Sequence, residues 1–163
     1  MAKNKEEKTN VMRVLEQKKI AYTAHTYPHE EGMAVDGVTV AKSMGFDPAI
    51  VFKTLVARGA SKQYYVFDVP VAENLDLKKA AKAVGEKSIE MLHQKELLPL
   101  TGYVHGGCSP VGMKKLFPTV FHSSAENLAA MIVSAGKIGY QVELSPRDLA
   151  ALVRAKFADI IVE

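Results

Sequence analysis

Two apolar runs joined by a short turn constrain this chain most. Phe52 to Ala57 reads FKTLVA, Gln63 to Val69 reads QYYVFDV, and Gly59-Ala60-Ser61 lies between them. Both runs are rich in β-branched and aromatic residues, and the spacing predicts two paired strands. Upstream, Asp47-Pro48 can start a single helical turn, so the first strand is expected to begin at Phe52. The same strand carries a lysine among apolar neighbours. Strand alternation puts Lys53 on the face of Val51 and Leu55, while Phe52 and Thr54 look the other way. An ammonium among aliphatic side chains is costly without a partner or water. Two readings stay open at this point. Lys53 either snorkels from a sheet edge, or projects into a cavity that takes an anionic or electron-rich ligand.

Around this hairpin the chain alternates short helices with runs of strands. Thr9 or Asn10 can cap a helix with Val11, Val14 and Leu15 on one face, ending near Lys18 and Lys19. Ile20 to Tyr27 reads as a strand stopped by Pro28. HEEGMAVDG follows as a loop, then VTVAKSMG as a short helix with Gly45 as its stop. Asp76 is an N-cap for DLKKAAKAV, which Gly85 ends. A second short helix is expected over His93 to Leu98, broken by Pro99. Short strands follow near Tyr103 to His105, Thr119 to His122, Met131 to Ser134 and Ile138 to Leu144. The last two read as a hairpin turning near Ala135-Gly136-Lys137. Ser145-Pro146-Arg147-Asp148 matches a capping box with proline at the first helical position. Strands come in runs and not in a βαβ alternation, which predicts an α+β fold with a mixed or antiparallel, curled sheet.

Bulk properties narrow the class. A chain of 163 residues, 48% hydrophobic and 24% charged, is expected to be one domain with a real core. Met1 to Lys8 reads as a flexible polar arm ahead of a domain over residues 9–163. The 21 basic and 18 acidic residues leave a formal charge of +3, which permits a nucleic-acid partner without demanding one. One cysteine excludes an internal disulfide framework and fits a reducing compartment. With no apolar stretch of about 18 residues and no signal-peptide pattern, a soluble cytoplasmic protein is expected.

Candidate chemistry concentrates in TGYVHGGCSPVGMKK, Thr101 to Lys115. Gly106 and Gly107 free the backbone to approach a ligand or take positive φ, and exposed N–H groups there can receive an oxyanion. A tight bend at a sheet corner explains the same glycines. A phosphate-binding loop is excluded, since Gly-Lys-Ser/Thr leading into a helix is absent. Cys108 would serve as a nucleophile only as an activated thiolate, and no cysteine-hydrolase signature surrounds it; a small, partly buried thiol lining a turn is the plainer reading. Ser134 can reach a pocket mouth or close its own turn. The five histidines are scattered, so no metal site and no cofactor is expected.

As a set, VFKTL, ENLDLKKAAKAVG, TGYVHGGCSP, VSAGKIGYQVEL and AKFADI resemble the YbaK/EbsC family, and most closely its Cys-tRNA(Pro) deacylase branch. That branch is related to the editing domain of bacterial prolyl-tRNA synthetases. The similarity runs from about Thr9 to Ile160. It implies a single α+β domain with a curved, barrel-like mixed sheet surrounded by helices. It also implies a hydrolase that cleaves the ester of a mischarged tRNA in trans, above all Cys-tRNA(Pro), without a cofactor. By resemblance, Lys53, Gly107 and Cys108 are catalytic, and Tyr27, Thr54, Gly106, Ser109 and Ser134 bind substrate. Lys53 is then a pocket lysine. Aminoacylated tRNA is the expected partner and prolyl-tRNA synthetase a suggested second one, with neither DNA nor membrane involved. A non-catalytic tRNA- or synthetase-binding module, and a deacylase for Ala-tRNA or another small aminoacyl group, are the rival expectations. Departures concern specificity. Cys108 stands where isoleucine is usual, Ala135 replaces a glycine, Ile138 replaces an arginine, and Asp36 stands where relatives can place an aromatic.

Overall fold

The computed structural model describes residues 8–163, so the expected arm lies, but for Lys8, outside the described residues. Helix α1 (Asn10–Gln17) starts at Thr9, whose hydroxyl accepts from the Met12 N–H, and it buries Val11, Met12 and Leu15. Such a cap stabilises a helix by about 1 kcal/mol. Strand β1 (Tyr22–Thr26) leads into a loop and then α2 (Gly37–Ser43), capped by Asp36. One 3-10 turn over Pro48–Ile50 precedes β2 (Phe52–Gly59), which pairs antiparallel with β3 (Tyr64–Pro70). The strand begins at Phe52, as Asp47-Pro48 leads one to expect.

Helix α3 (Leu77–Val84) runs from the Asp76 cap to Gly85, which takes φ +75°. Then come β4 (Ile89–Met91), α4 (Gln94–Thr101), β5 (Thr119–His122), β6 (Met131–Ser134), β7 (Tyr140–Leu144), α5 (Pro146–Val153) and β8 (Ala155–Ala158). Ser145 caps α5 by accepting from the Asp148 N–H, with Pro146 in the first turn.

Two expectations are corrected. Helix α4 continues through Pro99 to Thr101, because in so short a helix the proline deletes one hydrogen bond, while the Thr101 hydroxyl still reaches the Leu97 carbonyl. Tyr103 to His105 is not a strand; Thr101 Oγ1 accepts from the Tyr103 N–H and turns the chain, and the Tyr103 hydroxyl is held by the Val111 carbonyl. Strands β4 and β8 are additions to the expected set. Each is too short to show periodicity and is held by its neighbour in the sheet.

The α+β class stands, with the expected curved sheet divided in two. One sheet has the order β4-β2-β3-β5-β8, the other β1-β7-β6. The larger is mixed, since β3–β5 and β5–β8 are parallel while β2–β3 and β2–β4 are antiparallel. The sheets meet at a parallel bridge between Val51 and Ile132, and the arrangement does not close into a barrel. One face of the hairpin sends Phe52, Val56 and Val66 into the main core with α1, α5 and β6–β7. The other packs Ala57, Phe67 and Val69 on α3 through Ala80 and Ala81. Among the described residues no helix is long and apolar enough to cross a membrane.

Candidate active site

The short fourth strand makes the site. β4 pairs with β2 only over Ala57–Gly59, and the Leu92 N–H reaches the Val56 carbonyl just beyond. Phe52 to Leu55 therefore run on with β3 on one side and no β4 on the other. In a strand, backbone groups two residues apart point the same way, so Thr54 presents its N–H and C=O to the same open edge as Val56. Against that edge lies a cavity of about 290 Å³. Its wall includes Tyr27, Lys53, Thr54, Gly106, Cys108 and Ser134, drawn from separate stretches of the sequence. A smaller cavity of about 130 Å³ beside Val111 and Phe117 is lined mainly by apolar side chains and none of the expected site residues.

Lys53 is half-buried on the cavity wall. Burial pushes its ammonium below the ordinary lysine range, and the Glu73 carboxylate pulls partly the other way. A lysine so placed is less well solvated than a surface one and gains more from an anionic or electron-rich ligand. Tyr27 is buried, and desolvation raises its phenol, with a backbone hydrogen bond from Gly139 opposing. Thr54 donates its hydroxyl proton to Asp68 across the hairpin, at 2.6 Å.

The glycine loop is held tightly. Gly106 sits at φ +90°, and a Cβ there would lie 2.7 Å from the Ala34 side chain. Gly107 packs on the Lys137–Ile138 peptide, where a Cβ would stand 3.2 Å from the Ile138 nitrogen. Both the turn and the close approach need glycine, so the bend and the pocket wall are one structure. The Gly107 N–H is donated to the Val104 carbonyl at 3.0 Å, and Gly107 is not on the cavity wall. Ser109 is also off the wall: it is fully buried, and its hydroxyl oxygen accepts from the Val111 N–H. Ser134 combines both expectations. Its oxygen closes the turn by accepting from the Gly136 N–H, and it still lines the cavity.

The Cys108 thiol is pushed up to about 12 by burial and by the nearby Asp68 charge. It stays protonated near neutrality, which removes the thiolate that a cysteine nucleophile requires. Asp36 also lines the cavity, but its carboxylate caps α2 by accepting from the Thr39 N–H and hydroxyl, and those bonds hold it below the usual range. Three polar residues of the site lie beyond those the sequence singles out, and His105 on the cavity wall is one of them. Gln141 is on the wall, and Asp68 lies behind Thr54, wholly buried, with its carboxyl pushed up to about 7 by desolvation. Asp68 carries a readable signal, being an acid inside the apolar run YVFDVP just as Lys53 is a base inside VFKTL.

Residues 29–152 match the family model described as an aminoacyl-tRNA editing domain. The chain is 46% identical over 161 residues to an Enterococcus faecalis protein named "Putative Cys-tRNA(Pro)/Cys-tRNA(Cys) deacylase EbsC", covering 98% of each. Among solved structures it is similar to one titled "Crystal structure of a putative trans-editing enzyme for prolyl tRNA synthetase", with TM-score 0.79, 24% identity, and 94% and 95% of the two chains covered. A hypothetical protein superposes with TM-score 0.82 at 20% identity over 93% and 99% of the two chains. At these identities the two structures speak for the fold.

Proposed function

We propose that this chain, which belongs to the aminoacyl-tRNA editing domain family and is an aminoacyl-tRNA deacylase, acts in trans on tRNA(Pro) carrying cysteine. The single observation that carries the reading is Lys53, half-desolvated on the wall of a cavity at an open strand edge. The name of the E. faecalis relative supports cysteine as the amino acid, and the cavity is small enough to favour a small side chain.

An aminoacyl ester is activated compared with an amide, so positioning and electrostatics suffice without a strong protein nucleophile. Lys53 contacts the terminal ribose hydroxyl or phosphate and favours the negative charge that develops there. The loop supplies a donor for the carbonyl oxygen. With the Gly107 N–H committed to Val104, the Cys108 N–H is the loop donor assigned to that task. Tyr27, Thr54, Gly106 and Ser134 shape the pocket around the aminoacyl group, and Ser109 acts by holding the loop. The substrate's own thiol, held in line, attacks the carbonyl carbon; the C–O bond to the ribose breaks, the thiol proton passes to the departing tRNA hydroxyl, and water then opens the resulting cyclic thioester to give free cysteine.

Residues 9–163 form the working domain. The mild charge of +3 supports prolyl-tRNA synthetase as a partner that helps select the tRNA, in the cytoplasm. The test is release of labelled amino acid from Cys-tRNA(Pro) and Ala-tRNA(Pro) by substoichiometric protein, wild type beside Lys53→Ala. Rapid multiple-turnover loss of cysteine by wild type alone is expected. Loss of alanine alone would reassign the specificity, and neither ester cleaved faster than in buffer would sink the cysteine and alanine readings together and favour a binding module.

A further inference from the structure

Two acceptor oxygens are buried with no hydrogen-bond partner among the described residues: Gln141 Oε1, of a residue on the cavity wall, and Asp68 Oδ2, of the residue behind Thr54. Asp68 is 0% exposed and Gln141 7%. A buried carboxylate oxygen without a donor is among the costlier features a fold can keep, and a ligand that donates offsets that cost. The other Asp68 oxygen takes the Thr54 hydroxyl proton at 2.6 Å. A hydroxyl has one proton. With that proton committed to Asp68, Thr54 turns its lone pairs toward the cavity it lines.

Among the described residues the Asp68 carboxyl has no ion-pair partner. Lys53 and Asp68 belong to opposite faces of the hairpin, since Thr54 is the residue paired with Asp68 and Lys53 is paired with Val69. The charged neighbour of Lys53 is Glu73. Toward Asp68, β2 presents the Thr54 hydroxyl and the glycine loop presents the Cys108 thiol, itself protonated, and among the described residues no cation is paired with the carboxyl. The cavity wall adds Gln141, a neutral amide, from β7, together with His105 of the glycine loop, Asp36 at the start of α2 and, on the other face of β2, Lys53.

We infer that Asp68 is a positioning residue for the α-ammonium group of the aminoacyl substrate, acting through Thr54 and together with Gln141. Asp68 fixes the Thr54 hydroxyl as an acceptor and gives the base of the cavity its negative character. The ammonium brings the positive charge and the N–H donors that this acceptor set lacks. This deepens the deacylase reading and rests on it, because the α-ammonium is the cation borne by the reacting end of an aminoacyl-tRNA. It also assigns a selectivity: an N-blocked aminoacyl end is rejected, because it has lost the charge and two of its donors.

The test uses the adenosine 3′-amide of cysteine, a non-hydrolysable mimic of the charged tRNA end, and its N-acetyl derivative. Their binding to wild type, Asp68→Asn and Thr54→Val is measured by calorimetry. Wild type is expected to favour the free-ammonium mimic by about tenfold or more, the range of a charge-assisted hydrogen bond. In Asp68→Asn the ratio falls below about threefold, because the amide can donate to Thr54 and reverse its polarity. Thr54→Val shows the same collapse, and the double variant loses no more than either single one. The ratio is internal to each protein, so a general loss of folded material does not imitate it. Equal preference in wild type and Asp68→Asn, or no binding of the free-ammonium mimic to wild type, overturns the inference. A mimic that binds with the expected ratio while the corresponding ester is not cleaved overturns the deacylase reading instead.

Discussion

Lys53 and Asp68 stand on neighbouring strands of one hairpin and have opposite fates. Lys53 points from the face that leads toward α3, keeps part of its surface in solvent and has the Glu73 carboxylate nearby. Asp68 points from the opposite face, is wholly buried, and has the Thr54 hydroxyl as its hydrogen-bond donor and the Cys108 thiol nearby. A half-solvated cation with an acid nearby is tolerable for the fold and available for a ligand. A buried, unbalanced acid is a standing cost that only burial of a cation or uptake of a proton relieves. On the proposed reading the difference separates two demands on one site: Lys53 would answer to rate, Asp68 to placement and to stability.

The largest expected effect breaks the comparison on the side of rate. Lys53→Ala should lower kcat/KM for Cys-tRNA(Pro) by roughly 100-fold or more, the scale seen when one well-placed electrostatic donor is removed. Its melting temperature should not fall, because the variant no longer desolvates an ammonium. A large loss of stability with little loss of rate would make Lys53 a structural edge residue.

The next effect tests the other side by titration. Folding raises the Asp68 carboxyl from 3.8 to about 7, so the folded protein binds this proton more tightly than the unfolded chain. That contribution to stability is fully present below about pH 4 and is lost as pH rises through about 7. Asp68→Asn does not titrate there. It should therefore gain on wild type between these pH values and keep the advantage above them. The gain is a few kcal/mol, since each tenfold difference in proton affinity between the folded and unfolded chain is worth about 1.4 kcal/mol. Urea unfolding of both proteins at pH 4 and pH 8 measures it; a difference that does not change with pH removes Asp68 from the account.

Gly106→Ala sharpens the geometry shared by both residues. A side chain at φ +90° and 2.7 Å from Ala34 should cost about 1–3 kcal/mol, read as a lower melting temperature, and should displace the loop that faces Lys53. Cys108→Ser carries the smallest effect. The thiol is protonated near neutrality, so the change should alter kcat/KM by no more than about threefold, whereas a cysteine nucleophile would require its abolition.

Much of the fold is legible because its boundaries are written in residues with one physical job. Asp47-Pro48 set the start of β2, Thr9, Asp76 and Ser145 cap their helices, and Gly85 closes α3. What is not legible depends on partners distant in sequence. Strands β4 and β8 exist because the larger sheet gives them a ladder, and Tyr103 to His105 fails as a strand because no ladder is offered there. The site divides the same way. Lys53 is conspicuous as a charge in an apolar run. Asp68 carries the same signal, but its meaning lies in the register that sets it opposite Thr54. Gln141 has no local signal at all. Ser109 and Gly107 are visible as a cluster, but which atoms of that cluster are already spent on Val111 and Val104 is decided by the folded turn.

A strand that stops early leaves main-chain groups which any extended segment from another molecule can pair with, and this is how sheets grow into aggregates. Here the stretch from Phe52 to Leu55 is such a place, opened by the end of β4. The residue in its middle is a lysine, a side chain well suited to guarding exposed edges. If Lys53 has the proposed role in chemistry, a drift toward a neutral residue at this position would be opposed twice, once through lost turnover and once through an unguarded strand edge.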